Sequence, residues 1–226
     1  MSSKITTSRT KEVTKIDLRK EFKQLYNPPA KEVVLVEVPD LAFLMVDGSG
    51  DPNTAQEYQD ALNALYNVSY TLKFLIKKEM SIDYPVMALE GLWWTNNMLE
   101  FSMDNKDILQ WTSMIMQPAC VTAELVMRVS EELKQKKDLP ALSKLRFERF
   151  HEGLSAQIMH IGPYAAEKPA VEKLHTCIQA CGYEFNGKHH EIYLGDPRRA
   201  APEKLKTVLR HPVRKTYSVG SKGRDT

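Results

Sequence analysis

The chain has 226 residues, 42% hydrophobic and 27% charged, with 31 basic and 29 acidic side chains and a net charge of +2. Charge this close to balance argues against a nucleic-acid partner, which needs a concentrated basic face, and no apolar run approaches the roughly 18 residues of a membrane span. The length suits one large domain or two small ones and allows a substantial buried core.

Residues 1–15, MSSKITTSRTKEVTK, are polar and lack the apolar segment of a secretory leader, so they read as a flexible N-terminus. The three cysteines, Cys120, Cys177 and Cys181, form no CxxC and read as thiols in a reducing cytoplasm. DLRKEFKQLYNPPAKE predicts a short helix ending before Pro28 and Pro29. VVLVEVPDLAFLMVDGSGDPN predicts two strands broken at Pro39 and Asp40, the second (Leu41 to Val46) running into a glycine turn.

A long helix follows, with Asn53 as its cap and Gln56 as capping-box partner. Its inward positions are Tyr58, Leu62, Leu65, Val68 or Ser69, Leu72, Leu75 and Ile76. YPVMALEGLWW reads as a strand, Met98–Met103 as the segment after a polar turn, and ILQWTSMIMQP as another strand that places Trp111 in the core. A second helix spans about 119–136, ending in a charge run suited to its dipole.

In the second half, SKLRFERFHE and GLSAQIMHIG predict paired strands around Gly153. Pro169 opens a third helix and Gly182 stops it. GKHHEIYLGD is a strand, APEKLKTVLRHPVRK a short turn and a final extended segment, and residues 218–226 a disordered tail. Strand–helix–strand–strand thus occurs twice, in halves of about 30–138 and 139–217, which predicts an α+β fold with a mostly antiparallel sheet.

On the strand KHHEIYLGDPRR, alternation places Lys188, His190, Ile192 and Leu194 on one face and His189, Glu191 and Tyr193 on the other. Glu191 is therefore either an acid on a wet sheet face or the acid of a cleft, where burial would raise its pKa toward a working range. In EGLWW, Glu90 and Trp94 fall opposite Gly91 and Trp93, so one tryptophan faces away from the core side, and periodicity leaves open which. Tryptophan and tyrosine beside a carboxylate suit flat aromatic or cationic ligands. Glu167 has two readings, as a helix-start residue or as a second acid near Glu191. His189 and His190 point apart, and His151, His160 and His175 show no HExxH-like spacing, so no metal is expected. No P-loop, GxGxxG or GxSxG occurs, and no cofactor is expected.

EGLWW, HIGPYAAEKPAVEKLH and HHEIYLGDPRRAAPEKLKTVLRHPV resemble the GyrI-like small-molecule-binding family, in its stand-alone bacterial branch, over roughly residues 15–217. The resemblance implies one domain over 16–217, built from duplicated strand–helix–strand–strand units with pseudo-twofold symmetry and an antiparallel sheet backed by helices. It also implies a central cleft for flat or cationic molecules. In multidrug-sensing members an acid on the strand matching HHEIYL sits in that cleft, which carries over to Glu191. Members resembling cyclopropanoid cyclohydrolases imply a detoxifying hydrolase that opens strained rings with a pair of glutamates. The matching positions are Glu191 and Glu167 as catalytic acids, with Trp93 or Trp94, Tyr164 and Tyr193 as walls and Glu90 and His189 as further candidates. Non-catalytic sequestration of aromatic cations and a gyrase-inhibitor type of protein contact are the alternatives. The segment before the domain lacks the two amphipathic helices of a helix-turn-helix, so the resemblance does not extend to transcription regulators. Oligomeric state is not readable.

Overall fold

The computed structural model of the chain describes residues 12–95, 106–196 and 198–216. The expected segment Met98–Met103 and the tail 218–226 lie outside them. Thr14–Lys15 (β1) leads into two short helical turns, Leu18–Glu21 (α1) and Lys23–Tyr26 (α2). Asp17 caps the first by accepting from the Lys20 amide. Then follow Val34–Ser49 (β2), Gln56–Met80 (α3), Ile82–Asp83 (β3), Leu89–Trp94 (β4), Gln110–Gln117 (β5) and Ala123–Lys136 (α4). The second half holds Arg146–Ile161 (β6), Lys168–Ala180 (α5), Tyr183–Phe185 (β7), His189–Tyr193 (β8) and Lys206–Lys215 (β9).

Strand order in the main sheet is β6-β2-β5-β4-β8-β9-β7, and β6 also pairs with β9. Six antiparallel strands therefore join edge to edge in a ring. Closure removes the open edges that would otherwise recruit other strands. The units β2-α3-β4-β5 and β6-α5-β8-β9 share one connectivity and meet at two seams, β2 with β6 and β4 with β8. This is the α+β, antiparallel architecture that the repeated element order predicts, with the duplication and pseudo-twofold symmetry that the family resemblance implies.

Two expectations at the first seam need correction. β2 is one strand of 16 residues, not two. Pro39 has no assigned partner in the β2–β6 ladder and lies beyond the end of the β5 pairing, which begins at Ala42. A missing N–H costs little at such a place. β6 is also one continuous strand of 16 residues rather than a hairpin. Gly153, at φ +71°, sits within the strand opposite Val38. The positive φ that glycine permits can close a turn or bend a strand, and here it bends one.

α3 starts two residues later than expected. Ala55 occupies its cap position without a side-chain bond, and Asn53 instead turns its amide onto Asp51 at 2.7 Å. Its apolar stripe is as periodicity predicts: Tyr58, Leu65, Val68, Leu72 and Ile76 are buried. Tyr58 meets Trp111 edge-on at 5.1 Å. Trp111 in turn lies over Gly48, where a Cβ would stand 2.2 Å from its ring. α5 covers the other half through Leu174 and Ile178, packed on Ala156, Ile158, Leu209 and Val213. No described helix is long and apolar enough to cross a membrane.

Candidate functional site: an acid–aromatic cleft

The β4–β8 seam sets the site. Gly91 is the cross-strand partner of Glu191. With no side chain at 91, the Trp93 indole folds back over that position; a Cβ there would stand 2.7 Å from Trp93 Nε1. Nε1 then donates to the Tyr193 hydroxyl at 3.1 Å, and that hydroxyl donates to Glu191 Oε2 at 2.7 Å. His189 Nε2 lies 3.1 Å from Glu191 Oε1. The links within β8 come from strand alternation, which puts 189, 191 and 193 on one face, and the β4–β8 register brings Trp93 beside them. Tyr164 meets Tyr193 edge-on at 5.5 Å, and Tyr58 lies 6.1 Å from Trp93.

Glu167 joins the same cleft from the start of α5. It holds the N-cap position but makes no capping bond. Its side chain is 5% exposed, and among the described residues its Oε1 has no hydrogen-bond partner. Burial, and then the negative charge of Glu191, push its carboxyl up to about 8. A proton therefore stays on Glu167 at neutral pH, beside a second carboxyl that accepts hydrogen bonds. Burial and Glu167 together raise Tyr164 to about 12, and burial with Glu191 raises Tyr193 further. Separation of two neighbouring acids by environment is the usual basis of a division into proton donor and proton acceptor.

The cleft opens between α3, α5 and the sheet, with a volume of about 1370 Å³. That exceeds the roughly 300–1,000 Å³ of a typical small-molecule site. Tyr58, Trp93, Tyr164, Glu167, Glu191 and Tyr193 all line it. The tryptophan left open by periodicity is thus Trp93.

Trp94 and Glu90 are not brought to the cleft, because the pleat turns them to the opposite face. Lys188 Nζ stands 3.2 Å from the centroid of the Trp94 ring. Glu90 accepts from the Tyr26 hydroxyl at 2.7 Å and from His190 Nε2 at 3.0 Å. His190 Nδ1 reaches Glu152 at 3.0 Å, and Arg210 holds the same carboxylate at 3.1 Å. With carboxylates on both ring nitrogens, His190 is pushed up to about 9. This network ties four strands together and does not face the ligand space.

Sequence reasoning missed Tyr58 as a wall, because a helical apolar stripe looks the same whether it meets core or cleft. It also missed a cluster of imidazoles. His175, His189 and His211 each place a ligand-type nitrogen within 4.8 Å of the others. They come from α5, β8 and β9, so no local spacing signals them.

The sequence model of the GyrI-like small molecule binding domain matches residues 31–214. No curated protein matches the chain. Among solved structures, an uncharacterized conserved protein from Listeria innocua is 40% identical, with 88% of this chain and 100% of that one covered and a TM-score of 0.81. A protein described as a hydrolase from Listeria innocua is 39% identical, with 89% and 100% covered and a TM-score of 0.79. The C-terminal domain of EcmrR shares the fold at 12% identity, with 82% and 98% covered and a TM-score of 0.52.

Proposed function

We propose that this chain, which belongs to the GyrI-like small-molecule-binding family, uses its acid–aromatic cleft to add water to flat, electrophilic small molecules. Strained-ring alkylators of the cyclopropane-bearing indole type are the substrate class that fits. The observation that carries the reading is the pair Glu191 and Glu167: two buried acids lining one aromatic cleft, one hydrogen-bonded by Tyr193 and one with a buried carboxyl oxygen that has no partner among the described residues. The similarity to a Listeria protein described as a hydrolase supports it.

The planar ligand lies against Trp93 and the tyrosines. Each carboxylate oxygen of Glu191 already accepts one hydrogen bond and retains a second acceptor site for water. Glu191 takes a proton from that water as its oxygen bonds to the strained ring carbon. The ring C–C bond breaks, and its electron pair passes into the conjugated carbonyl, whose oxygen takes the proton held by Glu167. Return of a proton from Glu191 to Glu167 through solvent restores the site. Each acid–base contribution is worth roughly 10²–10⁴ in rate.

Incubation of the protein with such a compound in oxygen-18 water tests this reading. Mass spectrometry should show loss of the parent and a hydrated product carrying the heavy oxygen. Tryptophan quenching by the compound with no hydrated product would instead indicate a sequestering role, for which the four-ring aromatic wall alone suffices.

A further inference from the structure

We infer that His175, His189 and His211 form a binding site for a single divalent transition-metal ion of the zinc class. The site adjoins the acid–aromatic cleft, which His175 also lines, and shares Glu191 with it, but it rests on the imidazoles and not on the proposed hydration. Three imidazoles from three different elements converge at α5, β8 and β9, with one ring nitrogen of each within 4.8 Å of the others. Ring centroids are 5.7 Å apart for His175 and His211, 6.1 Å for His189 and His211, and 6.5 Å for His175 and His189.

The partners of each ring select the coordinating atom. His175 Nε2 is buried and has no hydrogen-bond partner among the described residues. His211 Nδ1 engages the Pro212 carbonyl at 3.2 Å, which assigns Nε2 to the metal. His189 Nε2 is held by Glu191, which assigns Nδ1. Two of the three ligands thus carry an outer partner, a carbonyl and a carboxylate, in the arrangement that fixes the tautomer and orients metal-binding histidines.

Zinc bonds imidazole at about 2.0–2.1 Å, which sets tetrahedral ligands about 3.4 Å apart. From separations of up to 4.8 Å the nitrogens must close in by up to about 1.4 Å, a movement within reach of χ rotations. Imidazole sets suit zinc, copper, nickel and iron rather than magnesium or calcium. Three protein ligands also leave a fourth position, as catalytic zinc sites do. Phe185, 4.4 Å from the His211 ring and 4.7 Å from that of His175, covers the outer side of the cluster.

The test uses full-length, untagged protein stripped with a chelator and titrated with cobalt(II) and with zinc. One equivalent of cobalt should bind and give the intense visible absorption of low-coordinate cobalt, which zinc then displaces. His175→Ala and His211→Asn should each weaken binding at least about tenfold, and Glu191→Gln, which acts through His189, about tenfold. Far-UV circular dichroism and a melting curve confirm that each variant folds. Cys177→Ser/Cys181→Ser should bind as wild type, because those thiols lie only 3.8 Å apart but outside the cluster. Absence of saturable binding, or binding that follows the cysteines and ignores folded His175→Ala, would overturn the inference.

Discussion

At the scale of single residues, Glu167 shows what the cleft costs the fold. Its carboxyl ionises ordinarily near 4.5 but holds its proton to about 8 when folded, first through burial and then through Glu191. Between those values the unfolded chain releases the proton and the folded chain keeps it, so stability falls as pH rises from 4.5 to 8. Glu167→Gln should therefore melt higher than wild type, by a margin that grows through that window to roughly 2 kcal/mol or more at pH 8. Equal melting temperatures at pH 5 and pH 8.5 would contradict the placement. Gly91 offers a second residue-level check. A methyl there would crowd the Trp93 indole at 2.7 Å, so Gly91→Ala should lose about 1–3 kcal/mol in chemical denaturation. It should also shift the tryptophan emission. Much of this was legible in the sequence: alternation along HHEIY alone groups Glu191 with His189 and Tyr193. Alternation does not say which face meets the ligand, so Trp93 and Trp94 stayed equivalent until the position of α3 separated them. The acid at 167 was ambiguous because a helix start looks the same with or without a capping bond.

Among the elements, the long strands β2 and β6 carry the pseudo-twofold seam. Sequence alone breaks both, at Pro39 and at Gly153, because proline and glycine punctuate turns far more often than they interrupt continuous strands. Each strand has 16 residues and reaches past its own half to pair with the other, a long-range event no local pattern can display. The glycine remains necessary. At φ +71° any side chain is strained, so Gly153→Ala should cost about 1 kcal/mol or more in denaturant melts. A substitution without effect would mean that the bend is not imposed by that residue. The helices were easier to read, because α3 and α4 keep period 3.6 over many turns and meet core along one stripe.

Across the whole molecule, the buried Glu90–His190–Glu152–Arg210 network fastens β4, β6, β8 and β9 on the face away from the cleft. Its α2 contacts, Tyr26 to Glu90 and Arg210 to the Leu25 carbonyl at 2.7 Å, lock the N-terminal turns onto the ring of strands. Burial opposes the charge on His190, but Glu152 and Glu90 outweigh it and raise the imidazole to about 9. A raised base stabilises the fold fully below its ordinary pKa of 6.5, and that stability is lost as pH climbs through 9. Glu152, brought down to about 2 by His190 and Arg210 against the opposing effect of its burial, contributes stability above 4.5 that is lost as pH falls through 2. Thermal stability should accordingly decline from pH 6.5 to pH 9. His190→Gln should remove most of that slope while costing roughly 3–5 kcal/mol near pH 6, since it takes away the buried positive charge between two carboxylates and leaves Glu90 only the Tyr26 hydroxyl among the described residues. A variant with an unchanged alkaline slope would contradict the assigned charge on His190.

The central claim is that Glu191 and Glu167 act on a ligand which the aromatic wall holds. The direct measurement compares wild type, Glu191→Gln and Glu167→Gln for two quantities on one cyclopropane-bearing indole compound: affinity from tryptophan quenching and single-turnover rate from mass spectrometry. The account predicts affinities within a few-fold of one another and rates lowered by roughly 10²–10⁴ in each variant. Turnover at the wild-type rate in Glu191→Gln, or a compound that neither quenches nor reacts with wild type, would contradict it.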